Sequence, residues 1–153
     1  MLITFREITI QDLDTVSEIL RRTHFTIWTA STRPADVWKH VWNPEITGYV
    51  LEQSNEIVGA SFVERPTNMY LKGIAMVQFA VHPARQGRGF GTVLIRQTLK
   101  TVADCHRVSL HVVRSNLHAI MLYLREGFMF ESVERRGYLG EDQYIMSLIR
   151  EEK

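Results

Sequence analysis

The sequence predicts an α+β domain: a mixed, mostly antiparallel sheet of about seven strands flanked by about four helices. Three observations carry the prediction. Short apolar stretches bounded by turn residues recur at Leu2–Ile8, Tyr49–Gln53, Ile57–Glu64, Ala75–Val81, His106–Val113, Phe128–Val133 and Gln143–Ile149. Their length and alternation suit strands. Stretches with apolar residues at helical spacing fall between some of them, giving the order β-α-α-β-β-β-α-β-α-β-β. The polar tripeptide Ser54-Asn55-Glu56 joins two strands directly, which demands an antiparallel hairpin, whereas intervening helices permit crossovers.

The elements follow in chain order. After the first strand, Thr9 to Asp12 reads as a helix start, followed by Leu13, Val16, Ile19 and Leu20 in helical spacing. The segment from His24 to Trp42 is rich in aromatics, with Phe25, Trp28, Trp38 and Trp42, and Pro34 suits the first turn of a short second helix through Val37 and Val41. These rings either complete the core or, through Trp28 or Trp38, line a cleft. Arg65 to Lys72 leads into the strand at Ala75. A helix near Gly91 to Ala103 precedes the strand in which Val108, Leu110 and Val112 share a face. The helix from about Ser115 to Arg125 ends at Gly127, where left-handed backbone closes a C-terminus. The last two strands are expected to be split by a loop over Glu134 to Asp142.

The totals suit one domain over residues 1–153, with a hydrophobic content of 45%, a charged content of 23% and a net charge of +1. That charge argues against a broadly basic nucleic-acid surface. No apolar run reaches the ~18 residues of a membrane span, and the charged start MLITFREITI does not read as a signal peptide. A single cysteine, Cys105, cannot form an internal disulfide, which favours a reducing, cytoplasmic setting. Cys105 reads as a buried or turn thiol, because a nucleophile needs a base beside it. No metal site is expected.

The most informative stretch is Val77 to Thr92, VQFAVHPARQGRGFGT, an apolar strand running into a glycine loop and then a helix. That order puts bare backbone N–H groups at a helix N-terminus, where a phosphate binds well. Arg85 and Arg88 add positive charge beside it. The dinucleotide pattern G-x-G-x-x-G fails, since Thr92 and Leu94 stand where its last glycine belongs, and no Gly-Lys-Ser/Thr follows for a triphosphate loop. What fits is Q-x-x-G-x-G, written as Gln86-Gly87-Arg88-Gly89-Phe90-Gly91. About thirty residues later comes N-x-x-A-x-x-x-Y-x-x-x-G-F, with Asn116, Ala119, Tyr123, Gly127 and Phe128. Asn116 and Tyr123 are two helical turns apart and share a face. On the residues alone, an N-cap and a half-buried tyrosine also explain this pair. Together the two patterns resemble the signatures of the GNAT N-acetyltransferases, and the element order resembles that fold over essentially the whole chain.

The resemblance implies acetyl-CoA as co-substrate. Gln86, Gly87, Arg88, Gly89, Phe90, Gly91 and Thr92 are then expected to hold its pyrophosphate through backbone amides. Phe79, Ala80 and Val81 are expected to pair with the pantetheine arm, Asn116 to hydrogen-bond the cofactor, and Tyr123 to act as general acid at the sulfur. Amine attack on a thioester needs a neutral amine, a stabilised oxyanion and a proton for the thiolate. His111 occupies the position where the branch that acetylates protein N-termini commonly carries an acidic base, and an imidazole can take that proton. It is otherwise a strand histidine facing solvent or a polar cleft. Glu64, Gln78 and Glu141 are further candidates for passing a proton through water.

The segment Arg135 to Tyr144 is similar to one found before the last strand of protein N-terminal acetyltransferases of the ribosomal-protein alanine type. There Tyr138 and Glu141 are expected to hold a peptide or an incoming ammonium, with Trp28 also in the acceptor pocket. An α-amine near pKa 8 is about a tenth neutral at pH 7, whereas a lysine amine near 10.4 is hardly neutral at all. The expected acceptor is therefore a protein or peptide N-terminus. The alternatives are a small amine such as a polyamine or aminoglycoside, and a non-catalytic acyl-CoA sensor. Dimers are common in the resembled family, so a homodimer is a further implication.

Overall fold

The computed structural model describes residues 2–23 and 33–151, the side chain of His40 excepted. Seven strands among the described residues form one sheet in the order β1-β2-β3-β4-β5-β7-β6. They are β1 (Ile3–Glu7), β2 (Ile46–Gln53), β3 (Glu56–Glu64), β4 (Ile74–Val81), β5 (Arg107–Val113), β6 (Met129–Tyr138) and β7 (Glu141–Ile149). The helices are α1 (Leu13–Arg21), α2 (Pro34–Val41), α3 (Phe90–Thr101) and α4 (Leu117–Arg125).

Every pairing is antiparallel except β4 with β5, which run parallel and meet only at Ile74/Arg107, Ala75/Val108 and Met76/Ser109. Beyond Met76, β4 pairs only with β3, and beyond Ser109, β5 pairs only with β7. The sheet therefore forks. One edge of β4 from Val77 to Val81 has no ladder partner among the described residues.

Each face of the sheet carries one helix pair. Ile95 and Leu99 of α3 and Ile120 and Tyr123 of α4 pack on Val77, Val108, Leu110 and Met146. On the other face, Val16, Ile19 and Leu20 of α1 and Val37 of α2 cover Val50, Ala60, Phe62 and Ala80. Each of the buried Val, Leu, Ile, Phe and Met side chains contributes about 1.5–3 kcal/mol by leaving water. The α3 start has its own cluster, in which Phe90 and Leu94 pack against Leu51 and Val58. The buried hydroxyls of Ser61 and Thr98, 2.8 Å apart, tie α3 to β3. Gly91 lets α3 approach α4, since a Cβ there would lie 2.8 Å from Leu122 Cδ2.

Three boundaries differ from the sequence expectation. The helical segment does start at Thr9 to Asp12, but as a 3-10 turn over Ile10–Asp12 that is capped at Thr9 and runs directly into α1, the Thr9 N–H donating to Asp12 Oδ2 at 2.7 Å. Strand β2 starts at Ile46, ahead of Gly48, which is present because a Cβ would lie 2.8 Å from Ile8 and 2.9 Å from Val41. The expected loop over Glu134 to Asp142 is mostly strand. Strands β6 and β7 continue to Tyr138 and Glu141 and turn through Leu139-Gly140 alone, at φ 47° and 79°. Two successive left-handed residues make the hairpin turn that matches strand twist.

Candidate active site

The fork between β4 and β5 opens into a cleft of about 450 Å³. Phe79, Ala80 and Val81 form its wall on β4, and Asn116, Ala119 and Tyr123 its wall at α4. The glycine loop closes one end with Gln86, Gly87, Gly89, Gly91 and Thr92. Gly87 and Gly89 sit at φ 76° and 87°, where side chains are strained, and a Cβ at either would meet nothing within 4 Å. Backbone conformation, not crowding, requires glycine here, and the turn leaves room beside it. The first amides of α3 have no intrahelical partner, so the loop offers donors at the positive end of the helix. Gln86 holds the loop in place, its Nε2 donating to the Val81 carbonyl at 3.1 Å.

Tyr123 is buried between Phe79 and Phe128, with ring centroids 5.9 Å away in each case. Burial pushes its phenol pKa well up, because the phenolate is costly to desolvate. It is therefore held protonated. Asn116 caps α4, its Oδ1 accepting from the Ala119 N–H at 3.4 Å, and it also lines the cleft. Capping leaves its two amide N–H donors available.

Other expected residues lie elsewhere. Phe90 is in the core, 6% exposed, and presents only its backbone to the loop. Arg88 is exposed and does not line the cleft. Arg85 is ion-paired with Glu56, which removes the free charge expected of it. Glu141 Oε1 accepts from the Ser115 N–H at 2.6 Å, clamping the turn into α4, and Tyr138 faces Glu141 across the hairpin end. Neither lines the cleft. His111 is also outside it. Alternation with Leu110 and Val112, which face the α3/α4 core, puts His111 on the opposite face of the sheet. There Gln143 Nε2 lies 3.4 Å from His111 Nδ1 and donates to Glu134 Oε2 at 2.5 Å. Burial raises the Glu64 carboxyl above its usual range, with Glu45 adding to the shift. Trp28 lies outside the described residues. Cys105 is buried and burial pushes its thiol up, away from nucleophilic use.

The cleft also contains residues that the sequence did not single out. Arg22 and Thr23 reach it from the end of α1, and His118, Leu122 and Arg125 from α4. The latter three stand at i, i+4 and i+7, a stripe readable in the sequence once one face of α4 is known to border a cleft. Arg22 and Thr23 gave no such signal. No cluster of potential metal ligands is present among the described residues, and no helix among them is long and apolar enough to cross a membrane.

Comparison with known proteins matches this arrangement. The family model for the acetyltransferase (GNAT) family covers residues 13–128. The spermidine N(1)-acetyltransferase of Vibrio cholerae is 31% identical over 111 residues, which is 70% of this chain. The matched stretch spans 60% of that relative's length. A dodecameric structure of spermidine N-acetyltransferase from Vibrio cholerae superposes with TM-score 0.79 at 23% identity, covering 97% of this chain and 94% of that one. The ribosomal-protein-S18-alanine N-acetyltransferase from Escherichia coli gives 0.82 at 23%, covering 99% and 97%. The yncA protein of Salmonella typhimurium, solved with acetyl-CoA, gives 0.80 at 20%, covering 99% and 95%. The forked sheet, the glycine loop and the matching family model lead to one assignment: the chain belongs to the GNAT acetyltransferase family.

Proposed function

We propose that the chain transfers an acetyl group from acetyl-CoA to a small amine of the polyamine class. The observation that carries the acetyl-CoA half is the fork. The edge of β4 left unpaired among the described residues leads from a glycine loop with helix-end donors to a buried tyrosine, which suits an extended acyl carrier with a phosphorylated end. When bound, acetyl-CoA supplies an acyl carbon activated as a thioester. The loop amides hold its pyrophosphate, Val77–Val81 offers backbone hydrogen bonds to its arm, and Asn116 donates to it from the α4 cap. Tyr123, on the α3/α4 face, donates a proton to the sulfur as the C–S bond breaks. His111, on the opposite face, takes the proton that the attacking amine loses as the C–N bond forms. Acid and base thus reach the fork from opposite faces.

The acceptor assignment replaces the protein N-terminus expected from the sequence. It is supported by the spermidine acetyltransferase relative at 31% identity and by the acidity of the sheet face that carries His111. Glu64 and Glu134 stand on that face without an ion-pair partner among the described residues, and a polyamine brings further ammonium groups to meet them. A peptide N-terminus brings one. The Escherichia coli ribosomal-protein enzyme has an equally similar fold, but at 23% identity that likeness concerns the fold alone. Self-association belongs to the same proposal, supported by the dodecameric Vibrio cholerae enzyme.

The test is thiol release from acetyl-CoA with spermidine, spermine, aminoglycosides and short peptides, against a no-acceptor control. Release with spermidine or spermine is expected. Release only with peptides, lost when the N-terminus is blocked, would restore the N-terminal acceptor. Saturable acetyl-CoA binding without release for any acceptor would make the chain a sensor.

A further inference from the structure

The side-chain amide of Gln143 is only half used. The residue is buried, 6% exposed, on the sheet face that carries His111, and its Oε1 has no hydrogen-bond partner among the described residues. Both contacts are made by the other end of the amide. Nε2 donates to Glu134 Oε2 at 2.5 Å and lies 3.4 Å from His111 Nδ1. A buried acceptor left unmatched is costly, so folded proteins rarely keep one without a use.

Glu134 imposes this arrangement. A carboxylate only accepts, so the NH2 end of the Gln143 amide must face it. The β6–β7 hairpin presses the two together. Glu134 is paired with Gln143, and the ladder slips between Glu134 and Tyr138. At Gly137, inside that slip, a Cβ would lie 3.0 Å from Glu134 Oε2 and 3.2 Å from Gln143 Cγ. The NH2 end has donors only, so the His111 Nδ1 beside it must accept. The neutral ring then carries its proton on Nε2, and its one basic lone pair is turned to an amide rather than to an incoming amine. A base held in this tautomer is masked.

We propose that Gln143 is a positioning residue through which the acceptor itself unmasks His111. A second ammonium on the acceptor pairs with Glu134 and draws the carboxylate off the amide. The amide turns over, and Oε1 gains the partner it lacks by accepting from His111 Nδ1–H. The ring gives its Nε2 proton to water and takes one from water at Nδ1, so its charge is unchanged. The Nε2 lone pair is then free to take the proton that the attacking amine loses. An acceptor with a single amine cannot do this, so the chain selects polyamines at the chemical step as well as in binding. The inference rests on the reading of His111 as base and of a polyamine as acceptor. The competing role for Gln143 is to tie β5, β6 and β7 together, which needs no change of tautomer.

Nitrogen NMR separates the two, because the shifts of the ring nitrogens report which one carries the proton. The full chain, labelled with nitrogen-15 histidine, is measured with CoA present at about pH 8.5, above the range of an ordinary imidazole. His111 is assigned by its loss in His111→Gln. Wild type without acceptor is expected to show Nε2–H. Saturating spermidine converts it mainly to Nδ1–H, and butylamine does not. In Gln143→Met, first shown to melt as wild type does, spermidine still binds by calorimetry but leaves the tautomer as it was. In Glu134→Leu, Nδ1–H appears without acceptor. At saturation, wild-type kcat is expected to be about 10²-fold higher with spermidine than with butylamine, within the range of a general base, and Gln143→Met removes most of that ratio. Nδ1–H in the acceptor-free wild type, or spermidine bound with the tautomer unchanged, overturns the inference and leaves the reading of the site standing. So does conversion by butylamine, or by spermidine in Gln143→Met. Acetyl transfer to spermidine undiminished in His111→Gln, or spermidine that does not bind, overturns that reading and the inference with it.

Discussion

Tyr123 combines two properties that rarely coincide by accident: its ring is core, packed on Phe79 and Phe128, yet the residue lines the cleft. Burial raises its pKa, so the hydroxyl stays protonated through neutral and moderately alkaline pH. Tyr123→Phe keeps the ring and removes the proton. It is expected to lower kcat by about 10²–10⁴ while leaving the acetyl-CoA Kd within about twofold, measured by thiol release and calorimetry. Equal losses in both would remove the acid role. His111→Ala is expected to lower kcat by about 10²-fold or more with the acetyl-CoA Kd unchanged, and an unchanged kcat would exclude His111 as the base. The Asn116 and Tyr123 pair was legible in the sequence because helical spacing is local. The Arg85 ion pair with Glu56 was not. It links residues 29 positions apart, and only the β3–β4 hairpin brings them together.

The junction of β1, the first turn and β2 depends on one charged knot. Arg6 donates to Asp12 at 2.7 and 2.9 Å and to Glu52 at 3.1 Å, and Asp12 also accepts from the Thr9 N–H. The Arg6 hydrogen bonds lead in holding the Asp12 carboxyl below its usual range, with Thr9 adding to the effect against desolvation. A depressed folded pKa means that this stabilisation is complete above the unfolded value near 3.9 and lost as pH falls through the lower folded value. Asp12→Asn should lower the urea midpoint at pH 7 by the equivalent of about 1–3 kcal/mol. The difference from wild type should shrink below pH 4. A constant difference down to pH 2 would contradict the assignment. Elements with strong periodicity, such as α3 and α4, were readable within a residue or two. The β6–β7 hairpin was not, because Glu134, Arg135 and Arg136 on an edge strand look like a loop when nothing covers them.

At the scale of the whole molecule, the class and strand count follow from patterning, but the strand order does not. Nothing local says that β7 lies between β5 and β6, or that β4 and β5 separate after three residue pairs. Those long-range facts turn a list of motifs into a cleft. Their consequence concerns how the chain can change. The fork is a seam between two antiparallel units, β1 to β4 and β5 to β7, and on the proposed reading it separates two tasks. The carrier then rests on the β4 edge and the glycine loop of the first unit, with Asn116 of α4 joining them from the second. His111, Gln143 and Glu134, on the face proposed to receive the acceptor, belong to the second. On that reading, substitutions on the strands of the second unit that leave α4 intact rewrite acceptor preference while the grip on the carrier stays as it is, so one scaffold can be refitted for many amines one half at a time.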